Sequence, residues 1–199
     1  MSPHRELEVL AGMFPHTGSD SQADLTDRIR NAARRITMFG LTRNFYASPE
    51  MLALFEAKAA AGIPVSVYAM DPHCPSRRDR YRLEPAEAAL ADPDHYTRTI
   101  LDPITEAAER TPQLTLLLYD FPCSFAMEEI DDTIRVMLYG HGVRGTDGPI
   151  LAFGPGTEYH AYFAAQLRWL EGLATTLTAR TPWGTAPPTV RPYRRMLHS

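Results

Sequence analysis

Apolar runs of strand length alternate along the first half of this chain with segments of helical spacing. Residues 36–41 and 65–70 are apolar almost throughout, which is typical of strands buried on both faces of a parallel sheet. Between them, apolar residues recur at helical spacing from 52 to 59. A strand, a helix and a second strand in this order predict a right-handed parallel crossover.

The helix between these strands has start and stop signals of its own. Ser48 offers a capping hydroxyl, and Pro49 lacks a backbone N–H that the first turn would leave unused. Glu50 places an acid near the positive helix end, and Gly62 suits the C-terminal stop. An earlier helix is predicted from Ser21, as cap, to about Arg34.

The densest apolar patterning lies between residues 113 and 140. Strand-length runs cover 114–119, 124–130 and 133–139, and Asp131-Asp132 stands between the last two. Asp accepts hydrogen bonds from its own backbone and tolerates unusual dihedrals, so the pair predicts a tight hairpin turn. The alternative is that the two carboxylates edge a ligand site.

The remaining segments complete an alternating pattern. Residues 84–110 are predicted to be helical in two pieces, and Pro103 indicates a kink or a new start in the second. A short strand is expected at 149–153, followed by a last helix from Glu158 to about Leu177 whose aromatic stripe indicates core packing.

These elements predict an α/β domain with a mixed, mostly parallel sheet flanked by helices. Its expected limits are residues 21 and 177, with an N-terminal extension over 1–20 and a flexible tail over 178–199. The tail is rich in proline and arginine. It offers the one route by which nucleic acid binding is expected, and a plain flexible end is the simpler account.

Composition narrows the function classes. The chain has 199 residues, of which 22% are charged and 44% apolar, and a net charge of −4. This charge argues against broad binding to nucleic acid or an anionic membrane. The sequence contains neither a run of about 20 apolar residues nor a secretion signal, so a cytoplasmic location is predicted. Cys74 and Cys123 lie outside any Cys-x-x-Cys pair and are expected to be reduced, and no cofactor is expected.

Positive charge is concentrated just after the second buried strand. Residues 71–82 contain the arginines Arg77, Arg78, Arg80 and Arg82. Ligands of open α/β sheets bind at the carboxyl ends of strands, and guanidinium groups suit phosphate or carboxylate. Together with Asp71 and His73, this segment predicts a site for a small anionic ligand. The alternative is a solvated loop in which an arginine pairs with Asp79.

With these elements in place, residues 21–173 resemble the phospholipase D-like superfamily, and in particular its small single-domain bacterial branch. The resemblance rests on N-A-A-R-R-I-T-M-F-G-L at 31–41, A-x-x-G-I-P-V-S-V-Y-A-M-D-P at 59–72, E-E-I-D-D-T-I-R-V-M-L-Y-G at 128–140, and Y-x-x-Y-F-x-x-Q-L-x-x-L at 159–170.

The resemblance implies a His-x-Lys-x-x-x-x-Asp motif, in which histidine attacks phosphorus and lysine holds the phosphate oxygens. If Asp131 is aligned with the motif's aspartate, Ser124 takes the place of the histidine and Ala126 that of the lysine. A serine needs a neighbouring base to attack, and a methyl group cannot hold an anion. Hydrolysis through a covalent histidine is therefore not expected. The resemblance also implies a homodimer.

The leading hypothesis is a catalytically degenerate domain that binds or senses a small anionic ligand, with any regulatory role acting through a partner. The residues expected around the ligand are Asp71, His73, Arg77, Arg78, Asp131, Asp132 and His141.

The alternative hypothesis is a hydrolase or transferase with substituted chemistry in the same cleft. Its candidate acid–base residues and nucleophile are His73, His141, His160, Glu128, Glu129, Asp131, Asp132 and Ser124. Strand alternation sends Glu128 and Glu129 to opposite faces, so the carboxylates cannot all converge. Two further alternatives are a metal held by Asp131 or Asp132 with His141, and an interaction module using the last helix or the tail.

Overall fold

The computed structural model describes residues 10–41, 44–83 and 91–176. These residues form one mixed sheet with strand order β1-β7-β6-β5-β2-β3-β4-β8. The strands are β1 Leu10–Phe14, β2 Ile36–Phe39, β3 Val65–Met70, β4 Leu114–Tyr119, β5 Phe125–Ile130, β6 Thr133–Leu138, β7 Ile150–Phe153 and β8 Thr175–Thr176. The helices are α1 Ser19–Asn31, α2 Pro49–Ala60, α3 Pro75–Leu83, α4 Pro93–Tyr96, α5 Asp102–Arg110 and α6 Glu158–Leu173, with a π-helical turn at Thr97–Leu101 and a 3-10 turn at Gly145–Asp147.

Parallel pairing is confined to the centre of the sheet. Strand β3 lies between β2 and β4 and is parallel to both, whereas the five other pairings are antiparallel. The α/β class and the mixed sheet flanked by helices are confirmed. The parallel share is smaller than expected, because β5, β6 and β7 follow one another through connections too short for a crossover and so pair antiparallel.

The crossover from β2 to β3 through α2 is confirmed in detail. The Ser48 hydroxyl accepts a hydrogen bond from the Met51 backbone N–H at 3.3 Å, which caps the first turn. Gly62 has φ +87°, a left-handed conformation that ends the helix and that a side chain would strain.

The N-terminal boundary lies earlier than the sequence indicates. Residues 10–14, expected in an extension, form the edge strand β1 and pair with β7, with Phe14 opposite Ile150. Helix α1 begins at Ser19, and the Gly18 N–H donates to the Ser21 hydroxyl at 3.2 Å. Ser21 is therefore inside the first turn and is not the cap. The predicted tail, 178–199, lies outside the described residues.

Pro103 marks a change of helix type, as the sequence predicts. Helix α4 is capped by Asp92, whose carboxylate accepts from Asp94 N–H at 3.1 Å. The chain then forms the π-helical turn, in which Asp102 N–H donates to Thr97 O. Proline has no N–H to continue the regular pattern, and α5 starts anew around it.

Helix α6 is capped by Thr157, which accepts from His160 N–H at 3.0 Å, and it ends at Leu173. It is shorter than predicted because the chain turns into β8. Its aromatic stripe is only partly core: Phe163 stacks on Phe153 with ring centroids 5.4 Å apart, while Tyr162 is 59% and Trp169 53% exposed.

The sheet separates two cores. Met38 points into the core shared with α1, α2, α4 and α5, and its neighbour Phe39 points into the core shared with α6. Cys74 and Cys123 are buried in the second core and are not joined in a disulfide. Among the helices of the described residues, none combines the length and apolar character needed to cross a bilayer.

Candidate functional site

Ser124 and Ala126, which the resemblance aligns with the motif's histidine and lysine, lie at the start of β5. Ser124 precedes the strand and is exposed, and its backbone carbonyl accepts from Tyr139 N–H at 3.0 Å. Ala126 is buried and its side chain lines a pocket. A side chain at position 126 therefore faces this pocket, and here it is only a methyl group.

The pocket has an empty volume of about 610 Å³, part of which is open to solvent. It lies between α1, the segment after β2, the hairpin β5–β6 and the turn before β7. Its apolar lining comes from Leu25, Leu41, Phe45, Ala126, Met137 and Ile150. Its uncharged polar lining comes from Thr17, Ser21, Gln22, Tyr46, Tyr139 and Thr146. This mostly apolar lining with a few polar groups is typical of small-molecule sites.

The two charged residues that line the pocket, among those described, bind each other. Glu128 and Arg135 face one another across the β5–β6 hairpin, and an Arg135 Nη1–H donates to Glu128 Oε2. The Tyr46 hydroxyl donates to the other carboxylate oxygen, Oε1. Arg135 is only 1% exposed.

Arg135 has further partners on α1. Its Nη2 donates to the Ser21 carbonyl at 2.9 Å, and its Nε lies 3.2 Å from Asp24 Oδ2. Buried charges of opposite sign that are hydrogen-bonded in this way neutralise each other, and separating them costs several kcal/mol. The network therefore forms a closed wall of the pocket.

Sequence reasoning did not find this pair, although a signal for it was present. A two-residue turn at 131–132 places 130 opposite 133, and hence 128 opposite 135. An acid and an arginine in directly opposed positions of a hairpin form a cross-strand pair. Tyr46 had no such signal, because the segment that carries it has no regular secondary structure.

Glu129 faces the other side of the sheet, as strand alternation predicts. Its carboxylate lies 3.0 Å from Arg35 Nε and also binds Arg168, which in turn binds Glu171. Arg35 completes the ring through Glu171 at 3.2 Å. This ion-pair network joins β5, the start of β2 and α6, and it does not line the pocket.

The Asp131-Asp132 pair forms the hairpin turn. Ile130 pairs with Thr133, and Asp131 has φ +52°, in the left-handed region that Asp tolerates. The Asp131 carboxylate accepts from the backbone N–H groups of residues 33, 34 and 35 at 2.8 to 3.1 Å. Burial alone raises the pKa of Asp131, but these three donors outweigh it and lower the pKa below 3.8. Asp132 is exposed and pairs with Arg34.

The residues expected around an anionic ligand are divided between opposite edges of the sheet. Asp131 N–H donates to Arg35 O, next to the beginning of β2, whereas Asp71 and His73 follow the end of β3. Strand β5 spans this separation, which for its six residues is about 20 Å. Asp131 and Asp132 therefore do not join the other predicted residues.

The arginine-rich segment is the helix α3 and not a loop. Arg77 is 1% exposed, with its guanidinium 3.4 Å above the Tyr96 ring, and it donates to the Tyr81 hydroxyl at 3.3 Å. Arg80 donates to the Gly140 carbonyl at 3.0 Å, and Arg82 pairs with Asp79 at 3.4 Å. Arg77 and Arg80 join α3 to neighbouring segments, and the local pair with Asp79 that the alternative interpretation predicts is present, in a helix and not in a loop.

The other predicted residues near this edge are on the surface. Arg78, His73 and His141 are exposed, and Asp71 accepts from His73 N–H at 2.7 Å. None of them lines the pocket. His160 lies on α6, whose buried residues belong to the second core, and so it does not meet the pocket either.

One carboxylate pair was not foreseen. Asp71 and Asp120 directly follow Met70 and Tyr119, which are paired in the parallel strands β3 and β4. Burial raises the pKa of Asp120, and the negative charge of Asp71 adds to the increase. Burial also raises the pKa of the nearby Cys74 thiol to about 11, so that the thiol stays protonated at neutral pH.

A metal site at the predicted position is excluded by distance, because β6 separates Asp132 from His141. Within residues 10–41, 44–83 and 91–176, no three His, Cys, Asp or Glu side chains come together in a way that could hold a metal ion.

Solved structures share this fold. The chain superimposes on a phosphatidylserine synthase of Haemophilus influenzae with a TM-score of 0.59 and 15% identity, over 93% of this chain and 43% of that one. It matches NucT of Helicobacter pylori with a TM-score of 0.51 and 10% identity, over 83% and 98% of the two chains. A third match is TrmBL2, described as an archaeal chromatin protein with a novel mode of DNA binding, with a TM-score of 0.57 and 10% identity, over 89% and 56%.

The synthase and NucT are phospholipase D family members, so the fold is phospholipase D-like. The chain spans about half the length of the synthase and of TrmBL2. No protein-family model and no curated protein sequence matches it. At these identities the likeness establishes the scaffold, and the site's own residues must indicate the function.

Proposed function

We propose that this chain is a phospholipase D-like domain that binds a small ligand in the pocket over Ala126 and does not use covalent-histidine phosphodiester chemistry. The observation that carries the proposal is the position of Ala126. It lines a mostly apolar pocket where the aligned motif has its phosphate-holding lysine. The scaffold and the concavity are present, while the nucleophile and the cation of the motif are replaced.

The neighbouring groups do not supply substitute chemistry. Glu128 is held by Arg135 and Tyr46, so it is kept as a paired carboxylate. Ser124 has no side-chain hydrogen bond to a base among the described residues, and a serine hydroxyl without one is a weak nucleophile. These features support binding over catalysis as the role of the pocket.

An anionic ligand, as the arginines of α3 suggested, would bind outside this pocket. The exposed Arg78 is the side chain of α3 best placed for it, since Arg77 is buried against Tyr96. His73 and His141 are exposed near the same edge of the sheet. In this proposal, phosphate binding is a surface property, and it is separable by mutation from binding in the pocket.

The proposal is tested by following the melting temperature of the full chain with inorganic phosphate, mononucleotides and a set of uncharged aromatic fragments. A ligand whose free concentration is 100 times its Kd stabilises the folded state by about 2.7 kcal/mol. We expect some fragments to raise the melting temperature of the wild type but not of a variant whose pocket is filled at position 126. Equal stabilisation of both proteins by every active compound would contradict the pocket as the binding site.

The catalytic half of the proposal is tested with bis(4-nitrophenyl) phosphate. We expect no hydrolysis above background, either by the wild type or by Ser124→Ala. Efficient hydrolysis that Ser124→Ala abolishes would show that this serine has replaced the histidine, and it would overturn the proposal.

The resemblance to dimeric relatives also supports a homodimer, and a regulatory role would act through a further partner. Sedimentation equilibrium at micromolar concentration measures the first directly. A monomer at all accessible concentrations would remove the dimer from the proposal.

A further inference from the structure

We propose that the pocket takes an uncharged, flat and largely apolar molecule that presents an amide-like edge, a hydrogen-bond donor beside an acceptor, to the side chain of Gln22. This inference rests on the proposed function and specifies its ligand class. It is built on the charge balance of the pocket wall, on the aromatic lining and on the hydrogen-bonding state of Gln22.

The charge balance disfavours an ion in the pocket. The charged lining residues among those described, Glu128 and Arg135, are bound to each other, and Arg135 is also engaged by Asp24 and by the Ser21 carbonyl. An anion entering the pocket would lose its hydration and lie beside the Glu128 carboxylate without a cation of its own. A cation would meet a carboxylate that is already neutralised. Either charge would therefore pay a desolvation cost without compensation.

The apolar surface of the pocket favours a flat body. The rings of Phe45, Tyr46 and Tyr139 line the pocket together with aliphatic side chains. Phe45 and Tyr46 meet edge to face at 5.9 Å, and the Tyr139 hydroxyl is fixed by Leu41 N–H at 3.0 Å. Rings held in this way give the pocket a rigid apolar wall, against which a flat aromatic ligand can pack.

Gln22 supplies the specific polar contact. It lines the pocket from α1, half-buried, and its side-chain amide makes no hydrogen bond with any residue that the structure describes. A primary amide carries an N–H donor next to a carbonyl acceptor, so it is complementary to another amide, a lactam or the edge of a nucleobase. The hydroxyl of the adjacent Ser21 is by contrast engaged with Gly18.

The test uses three probes of one shape: 2-naphthamide, 2-naphthoate and 2-acetonaphthone. Titration calorimetry with the full chain gives the Kd of each for the wild type, Gln22→Leu and the control Gln166→Leu, which removes the same amide from α6 outside the pocket. For the wild type and the control we expect the amide to bind about tenfold more tightly than the carboxylate, because only the carboxylate loses hydration of a charge. We expect the amide to exceed the ketone by about fivefold, because the ketone lacks the donor.

For Gln22→Leu we expect the amide and the ketone to bind equally, with the apolar contribution retained. Naphthoate binding as tightly as naphthamide would overturn the inference of a neutral ligand, and it would leave the pocket as the binding site. An unchanged preference for the amide in Gln22→Leu would overturn the role of Gln22. If none of the three probes binds the wild type, the inference fails, while pocket binding of a compound from the melting-temperature panel still decides the proposed function.

Discussion

The carboxylate of Asp131 accepts a hydrogen bond from the backbone N–H of Ala33 at 2.9 Å, although the two residues are 98 positions apart in the chain. Its other oxygen accepts from residues 34 and 35. One side chain in the β5–β6 turn therefore satisfies the backbone donors of the loop between α1 and β2. The acid that the resemblance aligns with the motif's aspartate therefore has a structural role here that needs no ligand.

Replacing Asp131 with alanine should destabilise the fold. The change removes three charge-assisted hydrogen bonds and places alanine, which tolerates the left-handed conformation less well than Asp, at φ +52°, so a loss of about 2 kcal/mol in the free energy of unfolding is expected. Urea denaturation measures it. Asp132→Ala is the matched control, since Asp132 is exposed and its pair with Arg34 is screened by solvent and should contribute little. Equal losses in the two variants would contradict the assignment.

The contribution of Asp131 should also depend on pH. Its pKa in the folded state is lowered from 3.8, so the charged form is stabilised by folding. The stabilisation is fully present above the unfolded pKa and is lost as the pH falls through the folded pKa. The difference in unfolding free energy between the wild type and Asp131→Asn should be constant from pH 5 to 7 and shrink below about pH 4. A difference that grows on acidification would show that the sign is wrong.

Removing one partner of the Glu128–Arg135 pair should lower the free energy of unfolding strongly, whereas replacing both partners with apolar residues should lower it much less. Glu128→Leu alone leaves the guanidinium buried with fewer partners, and a loss of about 3–5 kcal/mol is expected. Arg135→Met alone should cost a similar amount because it strands the carboxylate. The double variant should recover much of the loss, since apolar groups of similar size need no neutralisation. A double-mutant cycle by denaturant unfolding gives the coupling, and additive losses would argue against a closed pair.

Arg77 and Arg78 should behave differently although they are adjacent. Arg77→Ala removes a guanidinium that is buried against Tyr96 and Tyr81, so a loss of about 2 kcal/mol in stability is expected. Arg78→Ala changes an exposed side chain and should leave stability within about 0.5 kcal/mol. Phosphate titration of the Arg78 variant by NMR then tests the surface-anion proposal without a folding defect. If Arg78→Ala binds phosphate as tightly as the wild type, Arg78 is not part of the surface anion site.

Local signals in the sequence predicted those parts of the fold that local physics decides. Ser48, Gly62 and Pro103 act on their own helices, and the Asp131-Asp132 turn sets the register of its own hairpin. Strand β1 was missed although its residues are mostly apolar, because it is only five residues long and its place depends on pairing with β7, about 140 positions away.

The candidate site was harder to predict because it depends on which edge and face of the sheet each residue occupies. Arg77 lies on the helix that follows the parallel strand β3, whereas Asp131 turns a hairpin at the opposite edge of the sheet. Burial also determines whether a charged side chain can reach a ligand. The guanidinium of Arg77 is buried against the Tyr96 ring, and nothing local in the sequence indicates this. The resemblance aligned Ala126 with the lysine of the motif. Its position in the pocket wall became clear only from the fold.

Filling the pocket at position 126 should abolish ligand binding while the scaffold remains folded. The Ala126 side chain lines the pocket from a buried position in β5, so phenylalanine there would occupy the space over the Glu128–Arg135 wall. Some overpacking is expected, with a loss of about 1–3 kcal/mol in stability. Ala126→Ser is the matched control, because it adds one small polar atom and leaves the space open. Calorimetry with 2-naphthamide should show binding to the serine variant and none to the phenylalanine variant, both with the wild-type circular dichroism spectrum. If the phenylalanine variant is folded and binds as tightly as the serine variant, the ligand does not occupy the space over Ala126.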